Sequence, residues 1–131
     1  MRSSQEENRD STSPDHFTPL AFSRLAEGEF HARLAATAGV AVVLFSAPTC
    51  GACRVWKQLL PTALVGMVSA LYEVDVSEAT GVARYFGIFH LPTLYLYRNG
   101  QFHAELQCEA RRDAIQQAVL RLLAAPAQDE P

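Results

Sequence analysis

Cys50 and Cys53 are the residues best placed for chemistry, because they stand three positions apart where a strand pattern gives way to a helical one. Side chains at this spacing share one face of a first helical turn, so the two thiols are close enough to form a disulfide. The first thiol would lie at the positive end of the helix dipole, where unpaired backbone amides stabilise a thiolate. We therefore expect Cys50 to attack as the nucleophile and Cys53 to resolve the mixed disulfide.

A zinc site is another use for these thiols, since His90 and Cys108 could approach the same ligand set. A structural zinc site normally joins two closely spaced ligand pairs, and the second pair is missing here. We therefore expect no bound metal. The other histidines show no partner pattern and are interpreted as surface or helix-face residues: His16, His31 and His103.

Composition excludes several function classes. The chain has 131 residues, of which 49% are hydrophobic, enough for one compact core without structural metals. Its net charge of −3, without any run of Lys and Arg among aromatics, argues against a nucleic-acid partner. Neither a secretory signal nor a run of roughly 20 apolar residues is present, so we expect a cytoplasmic protein without membrane contact.

The hydrophobic pattern predicts the elements that hold the cysteine pair. Residues 40–45 are continuously apolar and β-branched, which predicts a buried central strand, followed by a helix over 51–67. Asn99-Gly100 is a strong signal for a two-residue hairpin turn. The other predicted elements are strands at 21–25 and 70–76, an amphipathic segment ending near Gly39, a helix over 77–87 with Ser77 and Glu78 as capping residues, and a helix over 109–123.

This order of elements predicts an α/β fold, with a central mixed β-sheet flanked by helices on both faces. Polar composition predicts a disordered tail over residues 1–16 and a C-terminal tail over 126–131, leaving one domain over 17–125. Nothing in the sequence resembles a coiled coil, and we expect a monomer. Three cysteines are too few for a secreted disulfide framework, which favours a reducing compartment.

The segments FSAPTCGAC and GIFHLPTLYLYRNGQ resemble the active-site and Ile-Pro-Thr segments of thioredoxins. The resemblance covers residues 21–123 and implies a thioredoxin fold with a cis peptide bond before Pro92, which lies against the dithiol. It also implies that an extended substrate pairs with the backbone of Leu91. Further positions match the family pattern and are expected to support the fold: Phe45, Ala47, Gly51, Asp75, Gly87, Thr93 and Gly100.

Two positions depart from the family's acid–base pattern. Thioredoxins usually carry a buried Asp six residues before the first Cys, with a Lys opposite it on the next strand. These positions are Leu44 and Glu73 here. One hypothesis is that Glu73 takes over the acid–base role, because burial makes a carboxyl group exchange its proton nearer neutral pH. The alternative is that Glu73 faces solvent at a strand end.

Other departures concern the substrate side. Thr49 occupies the position of the family's Trp before the first Cys, and Gly51-Ala52 replaces the usual Gly-Pro between the cysteines. Both changes are expected to affect the redox properties of the dithiol. Cys108, at the end of the last strand, is interpreted either as a small semi-buried residue or as a reactive third thiol. Trp56 is expected in the core. We assign substrate contact to Thr49, Gly51, Ala52, Leu91, Pro92 and Cys108.

The leading interpretation is a protein-disulfide reductase that cycles through Cys50 and Cys53 and needs no bound cofactor. Its electrons would come, by the family resemblance, from a thioredoxin reductase or a glutathione system. An alternative from a different class is a redox sensor, docking or regulatory module without turnover. A third interpretation is a metal-binding or metal-delivery protein that uses the three cysteines.

Overall fold

The computed structural model describes residues 20–131, and the predicted N-terminal tail over 1–16 lies outside that range. The described elements, in chain order, are β1 (Phe22–Arg24), a 3-10 turn (Glu27–Glu29), α1 (Phe30–Ala35), β2 (Val40–Ser46), α2 (Gly51–Ala63), β3 (Ala70–Asp75), α3 (Thr80–Phe86), β4 (Thr93–Arg98), β5 (Gln101–Glu105) and α4 (Arg112–Ala124). Each predicted strand and helix that lies within the described residues is therefore present.

The five strands described form one mixed sheet in the order β1-β3-β2-β4-β5. The first three run parallel, because helices connect them, whereas β4 and β5 are antiparallel and joined by a hairpin. Strand β2, which leads into the cysteine pair, is therefore central and paired on both sides. This arrangement confirms the predicted fold class.

Helices cover both faces of the sheet, as predicted. Alternate residues of β2 enter two separate cores: Leu44 packs with α2 and α4, and Phe45 packs with α1 and α3. Both side chains are fully buried. Burial of the two faces of β2 fixes its register, and with it the position at which the chain leaves the sheet for α2.

Two helix boundaries differ from the prediction. Helix α2 ends at Ala63 instead of residue 67, and Gly66 in the following turn has φ of 79°, a left-handed conformation that stops an α-helix. Helix α3 begins at Thr80, not at Ser77, because the Asp75 carboxylate accepts hydrogen bonds from the Ser77 amide and hydroxyl and holds residues 76–79 as a turn.

The segment after α4 has no regular secondary structure, but it lies against the edge strand β5. The Gln128 amide donates to the carbonyl of His103 at 2.7 Å, and the Gln128 side-chain oxygen accepts from the Glu105 amide at 3.1 Å. These contacts cover part of an otherwise open sheet edge. Across residues 20–131, every helix is too short or too polar to cross a membrane.

Candidate functional site

The cysteine pair lies at the first turn of α2, directly after the central strand. Cys50 is the N-cap residue with extended backbone, and its Sγ accepts a hydrogen bond from the Cys53 amide at 3.1 Å. The two cysteines form a disulfide with 5.3 Å between their Cα atoms. Cys50 is half-buried whereas Cys53 is 2% exposed, so an incoming molecule meets Cys50 first. The predicted pairing and its position on a helix are confirmed.

The peptide bond between Leu91 and Pro92 is cis, as the sequence resemblance implied. Both residues are half-buried and immediately precede β4. The loop before them is tied to the strand, because the Thr93 hydroxyl donates to the carbonyl of His90 at 2.7 Å. This loop therefore has a fixed place at the end of the sheet.

A cavity of about 240 Å³ lies on the Pro92 side of α2. Its lining is mostly apolar and consists of Trp56, His90, Pro92, Leu94, Glu105, Leu106, Gln107 and Cys108. Trp56 is 7% exposed and packs in the core with Leu60, which confirms the prediction for this residue. The cavity has the size and lining to accept an apolar side chain.

Cys108 lies three residues beyond the end of β5 and is half-buried in this cavity. Burial raises the pKa of its thiol, and the neighbouring Arg121 only partly offsets that effect. A thiol with a raised pKa holds less thiolate at neutral pH and is a poorer nucleophile. The structure therefore favours the interpretation of Cys108 as a small semi-buried residue.

A second cavity, of about 180 Å³, lies on the opposite side of the dithiol. In contrast to the first, it is lined by charged side chains from three elements. Its lining consists of Arg24, Ser46, Ala47, Pro48, Cys50, Cys53, Arg54, Lys57, Glu73 and Asp75. A cavity of this volume can hold several water molecules, so protons can pass between the groups that line it.

Glu73 lies inside the charged cavity and is only 8% exposed, so of the two alternatives the one in which it faces solvent is wrong. Its Oε2 accepts a hydrogen bond from the Ser46 hydroxyl at 2.7 Å and lies 3.1 Å from Lys57 Nζ. Its Oε1 lies 3.9 Å from Arg24 Nε. The buried carboxylate is therefore compensated by a cation and a hydroxyl, as buried charges generally are.

Asp75 also lines the charged cavity. Its Oδ1 accepts from the Ser77 hydroxyl at 2.6 Å and from the Ser77 amide at 2.9 Å, and its Oδ2 lies 3.6 Å from Arg24 Nη1. The hydrogen bond from the Ser77 hydroxyl, helped by the Arg24 cation, holds the pKa of Asp75 below its usual value. Asp75 is therefore ionised at neutral pH and fixes the turn after β3.

The remaining predicted residues lie in different places. Thr49, Gly51 and Ala52 are exposed beside Cys50. Among residues 20–131, no group of three or more metal-ligating side chains comes together, so Cys50, Cys53, His90 and Cys108 do not form the zinc set considered from the sequence. His103 is not a surface residue: it is 5% exposed, and its Nε2 lies 2.7 Å from the carbonyl oxygen of Leu122.

Lys57, Ser46 and Arg24 line the charged cavity but were not predicted from the sequence. Lys57 follows Cys53 by four residues, which places both on one face of α2. Ser46 follows Leu44 by two residues on β2, and Arg24 on β1 is in register with Glu73. The spacing of these three residues from Cys53 along the helix, and from Leu44 and Glu73 along and across the strands, was the sequence signal that could have identified them.

Comparison with known proteins supports the same interpretation. The family model described as Thioredoxin matches residues 21–121. Protein disulfide-isomerase A3 of Gallus gallus is 34% identical over 83 residues, which make up 59% of this chain and 16% of that protein. The chain thus spans about a sixth of the length of that relative.

Solved structures share the fold. The zinc-bound form of human ERp44 superposes with a TM-score of 0.67 at 21% identity, covering 77% of this chain and 31% of that one. A structure from a study of thiol resolution in yeast mitochondrial 1-Cys peroxiredoxin through the glutathione/thioredoxin systems superposes with a TM-score of 0.66 at 19% identity. It covers 79% of this chain and 98% of that chain. Both likenesses confirm the expected arrangement of strands and helices.

Proposed function

This chain belongs to the thioredoxin family, and from that premise we propose that it reduces disulfide bonds in other proteins through Cys50 and Cys53. Family membership and the closed Cys50–Cys53 disulfide make it a thiol–disulfide oxidoreductase. The observation that supports the proposal best is the unequal burial of the pair. Cys50 is half-buried at the helix start, whereas Cys53 is 2% exposed behind it, as an attacking and a resolving thiol should be.

In the first step, the Cys50 thiolate attacks one sulfur of the substrate disulfide. The substrate S–S bond breaks, a mixed disulfide forms on Cys50 Sγ, and the first substrate sulfur leaves as a thiolate that takes a proton from water. The start of α2 supports this step, because the backbone amides of the first helical turn stabilise negative charge on Cys50.

In the second step, Cys53 must lose its proton before it can attack Cys50 Sγ. We assign the proton to the Glu73 carboxylate, which lines the same cavity as Cys53. The Cys53 thiolate then displaces the second substrate sulfur, which takes up a proton from water, and the Cys50–Cys53 disulfide closes. Glu73 returns its proton to water in the cavity. Two electrons and two protons have passed to the substrate.

Substrate contact is proposed on the Pro92 side of the dithiol. Leu91 offers its backbone to an extended substrate chain, next to Pro92 and the exposed residues around Cys50. Cys108 would face the substrate as a cavity wall, since its thiol lies among apolar side chains there. The assigned substrate-contact residues are Thr49, Gly51, Ala52, Leu91, Pro92 and Cys108.

Turnover needs a donor that returns two electrons to the disulfide. We propose a thioredoxin reductase or a glutathione system for this role, with the chain acting as a monomer in the reducing cytoplasm. The alternative function is that of a redox sensor or docking module, in which the dithiol changes state once and does not turn over.

Reduction of insulin in the presence of dithiothreitol tests the proposed function. We expect the wild-type chain to accelerate insulin reduction, Cys50→Ser to abolish the acceleration, and Cys53→Ser to accumulate a covalent mixed disulfide through Cys50. Repeating the assay with NADPH and either thioredoxin reductase or glutathione plus its reductase would identify the donor. Insulin reduction no faster than with dithiothreitol alone would favour the sensor or docking module.

A further inference from the structure

We propose that Lys57 and Ser46 are positioning residues that hold the Glu73 carboxylate as the proton acceptor for Cys53. The inference rests on the proposed function and deepens it, because it assigns the groups that control the second step. In the family pattern the acid would stand at position 44 and its cation at position 73. Here the acid is at position 73, and the cation comes from the helix that carries the dithiol.

Strand register explains how an acid at position 73 can replace one at position 44. Leu44 and Glu73 are partners across β2 and β3, so a carboxylate on either strand lies at the same level of the sheet. Leu44 is fully buried among apolar side chains, whereas Glu73 reaches the charged cavity. An acid at position 73 therefore lies in the cavity that Cys53 lines, although it is carried by β3 and not by β2.

Lys57 supplies the compensating charge from the dithiol helix itself. Its Nζ lies 3.1 Å from Glu73 Oε2, with the lysine side chain 42% exposed and the carboxylate side chain 11% exposed. The ammonium group thus stays in contact with water while it stabilises a nearly buried carboxylate. This contact also ties the second turn of α2 to strand β3 beneath the cysteine pair.

The two carboxylate oxygens have different roles. Oε2 is engaged by both Ser46 Oγ and Lys57 Nζ. Oε1 lies 3.9 Å from Arg24 Nε, which is too long for a hydrogen bond, and within residues 20–131 the side-chain hydrogen bond of Glu73 is made by Oε2. Oε1 is therefore the oxygen that can take the proton, directly or through cavity water, while Oε2 keeps the side chain in place.

The charged groups that line the cavity around this carboxylate come from three elements, and strand β2 contributes the uncharged Ser46. Arg24 lies on β1, Lys57 and Arg54 on α2, and Asp75 on β3 together with Glu73 itself. Asp75 is compensated by Ser77 and Arg24, and Arg54 makes no ion pair among the described residues. Lys57 is therefore the cation whose loss would change the charge balance at Glu73 most.

The test separates the two chemical steps with Ellman's reagent, in a Cys108→Ala background so that only the dithiol reacts. Attack by Cys50 releases one thionitrobenzoate, and attack by Cys53 on the mixed disulfide releases a second in a unimolecular phase. In stopped flow, we expect Glu73→Gln to slow the second phase by at least about 10-fold. Lys57→Gln should slow it by about 3- to 10-fold near pH 6 and move its rise with pH to higher pH.

Matched variants distinguish positioning from general charge effects. Arg54→Gln removes the same charge from the same cavity and should leave the pH dependence of the second phase as in the wild type. Lys57→Arg should restore much of the rate, and Lys57→Gln should have no further effect in the Glu73→Gln background. Ser46→Ala should slow the second phase without changing the first.

The outcomes separate the two proposals. If the wild-type chain releases only one thionitrobenzoate, Cys53 does not resolve and the proposed function fails. If two are released but Lys57→Gln leaves the second phase unchanged, acts like Arg54→Gln, or adds fully to Glu73→Gln, the role of Lys57 is refuted while the reductase function stands.

Discussion

At the scale of single residues, the charged cavity shows how a nearly buried acid is accommodated in the same cavity as a buried cysteine. Glu73 is nearly buried, but a lysine and a serine compensate one of its oxygens. Removing either partner would leave a buried charge less well compensated, which usually costs more than the contact itself contributes. The same arrangement leaves the second oxygen available for a proton.

Cys108 provides a prediction about thiol reactivity. Because burial raises its pKa, Cys108 should react with iodoacetamide more slowly than free cysteine at pH 7, and its rate should keep rising at pH values where free cysteine has levelled off. Time-resolved alkylation of the oxidised protein, followed by peptide mass mapping, measures this rate with Cys50 and Cys53 protected as a disulfide. Alkylation as fast as free cysteine at pH 7 would instead support a reactive third thiol.

At the scale of the elements, α2 connects the two sides of the site. Its first turn carries the cysteines, Trp56 on one side lines the apolar cavity, and Lys57 on the other side lines the charged cavity. Residues three and four positions beyond Cys53 thus point to cavities of different chemistry. A substrate side chain and a proton can therefore approach the dithiol from opposite sides.

The hairpin between β4 and β5 gives a prediction about stability. Asn99 has φ of 50° and Gly100 has φ of 82°, and a Cβ on Gly100 would lie 2.9 Å from the backbone of Ala35. Gly100→Ala should therefore lower the free energy of unfolding by roughly 2 kcal/mol. Gly28→Ala is the matched control, because a Cβ there meets no atom within 4 Å.

Urea unfolding of both variants measures this difference. The hairpin lies at the far end of β4 from Pro92, so Gly100→Ala should leave the rates of both thionitrobenzoate phases unchanged. Equal stability of the two alanine variants would contradict the proposed clash with α1.

Sequence patterns predicted the elements well where local chemistry decides them. The β-branched run before Cys50 and the Asn99-Gly100 turn have strong intrinsic preferences, and both were confirmed. The predicted start of α3 was wrong because the Ser77 amide donates to the Asp75 side chain, and this local hydrogen bond favours a turn over a helix. Tertiary contacts such as that of Lys57 with Glu73 were not predicted. Helical spacing shows that Lys57 and Cys53 share one face of α2, but it does not show which strand that face packs against.

At the scale of the whole molecule, the sheet separates two hydrophobic cores. One core, formed with α2 and α4, supports the dithiol, while the other, formed with α1 and α3, buries a cluster of aromatic rings around Phe45 and Phe86. Both cores meet in β2, whose side chains are almost all buried. A rigid central strand keeps the start of α2 in place when the disulfide opens and closes.

The proposed dithiol chemistry is tested most directly by equilibrating the purified protein in a series of dithiothreitol redox buffers and then alkylating and mass mapping each cysteine. We predict a reversible Cys50–Cys53 disulfide with a potential more reducing than about −230 mV, within the range of electron-donating dithiols. A potential near −180 mV would indicate an oxidising or isomerising role. A disulfide that always includes Cys108, or no reversible pairing, would contradict the dithiol mechanism itself.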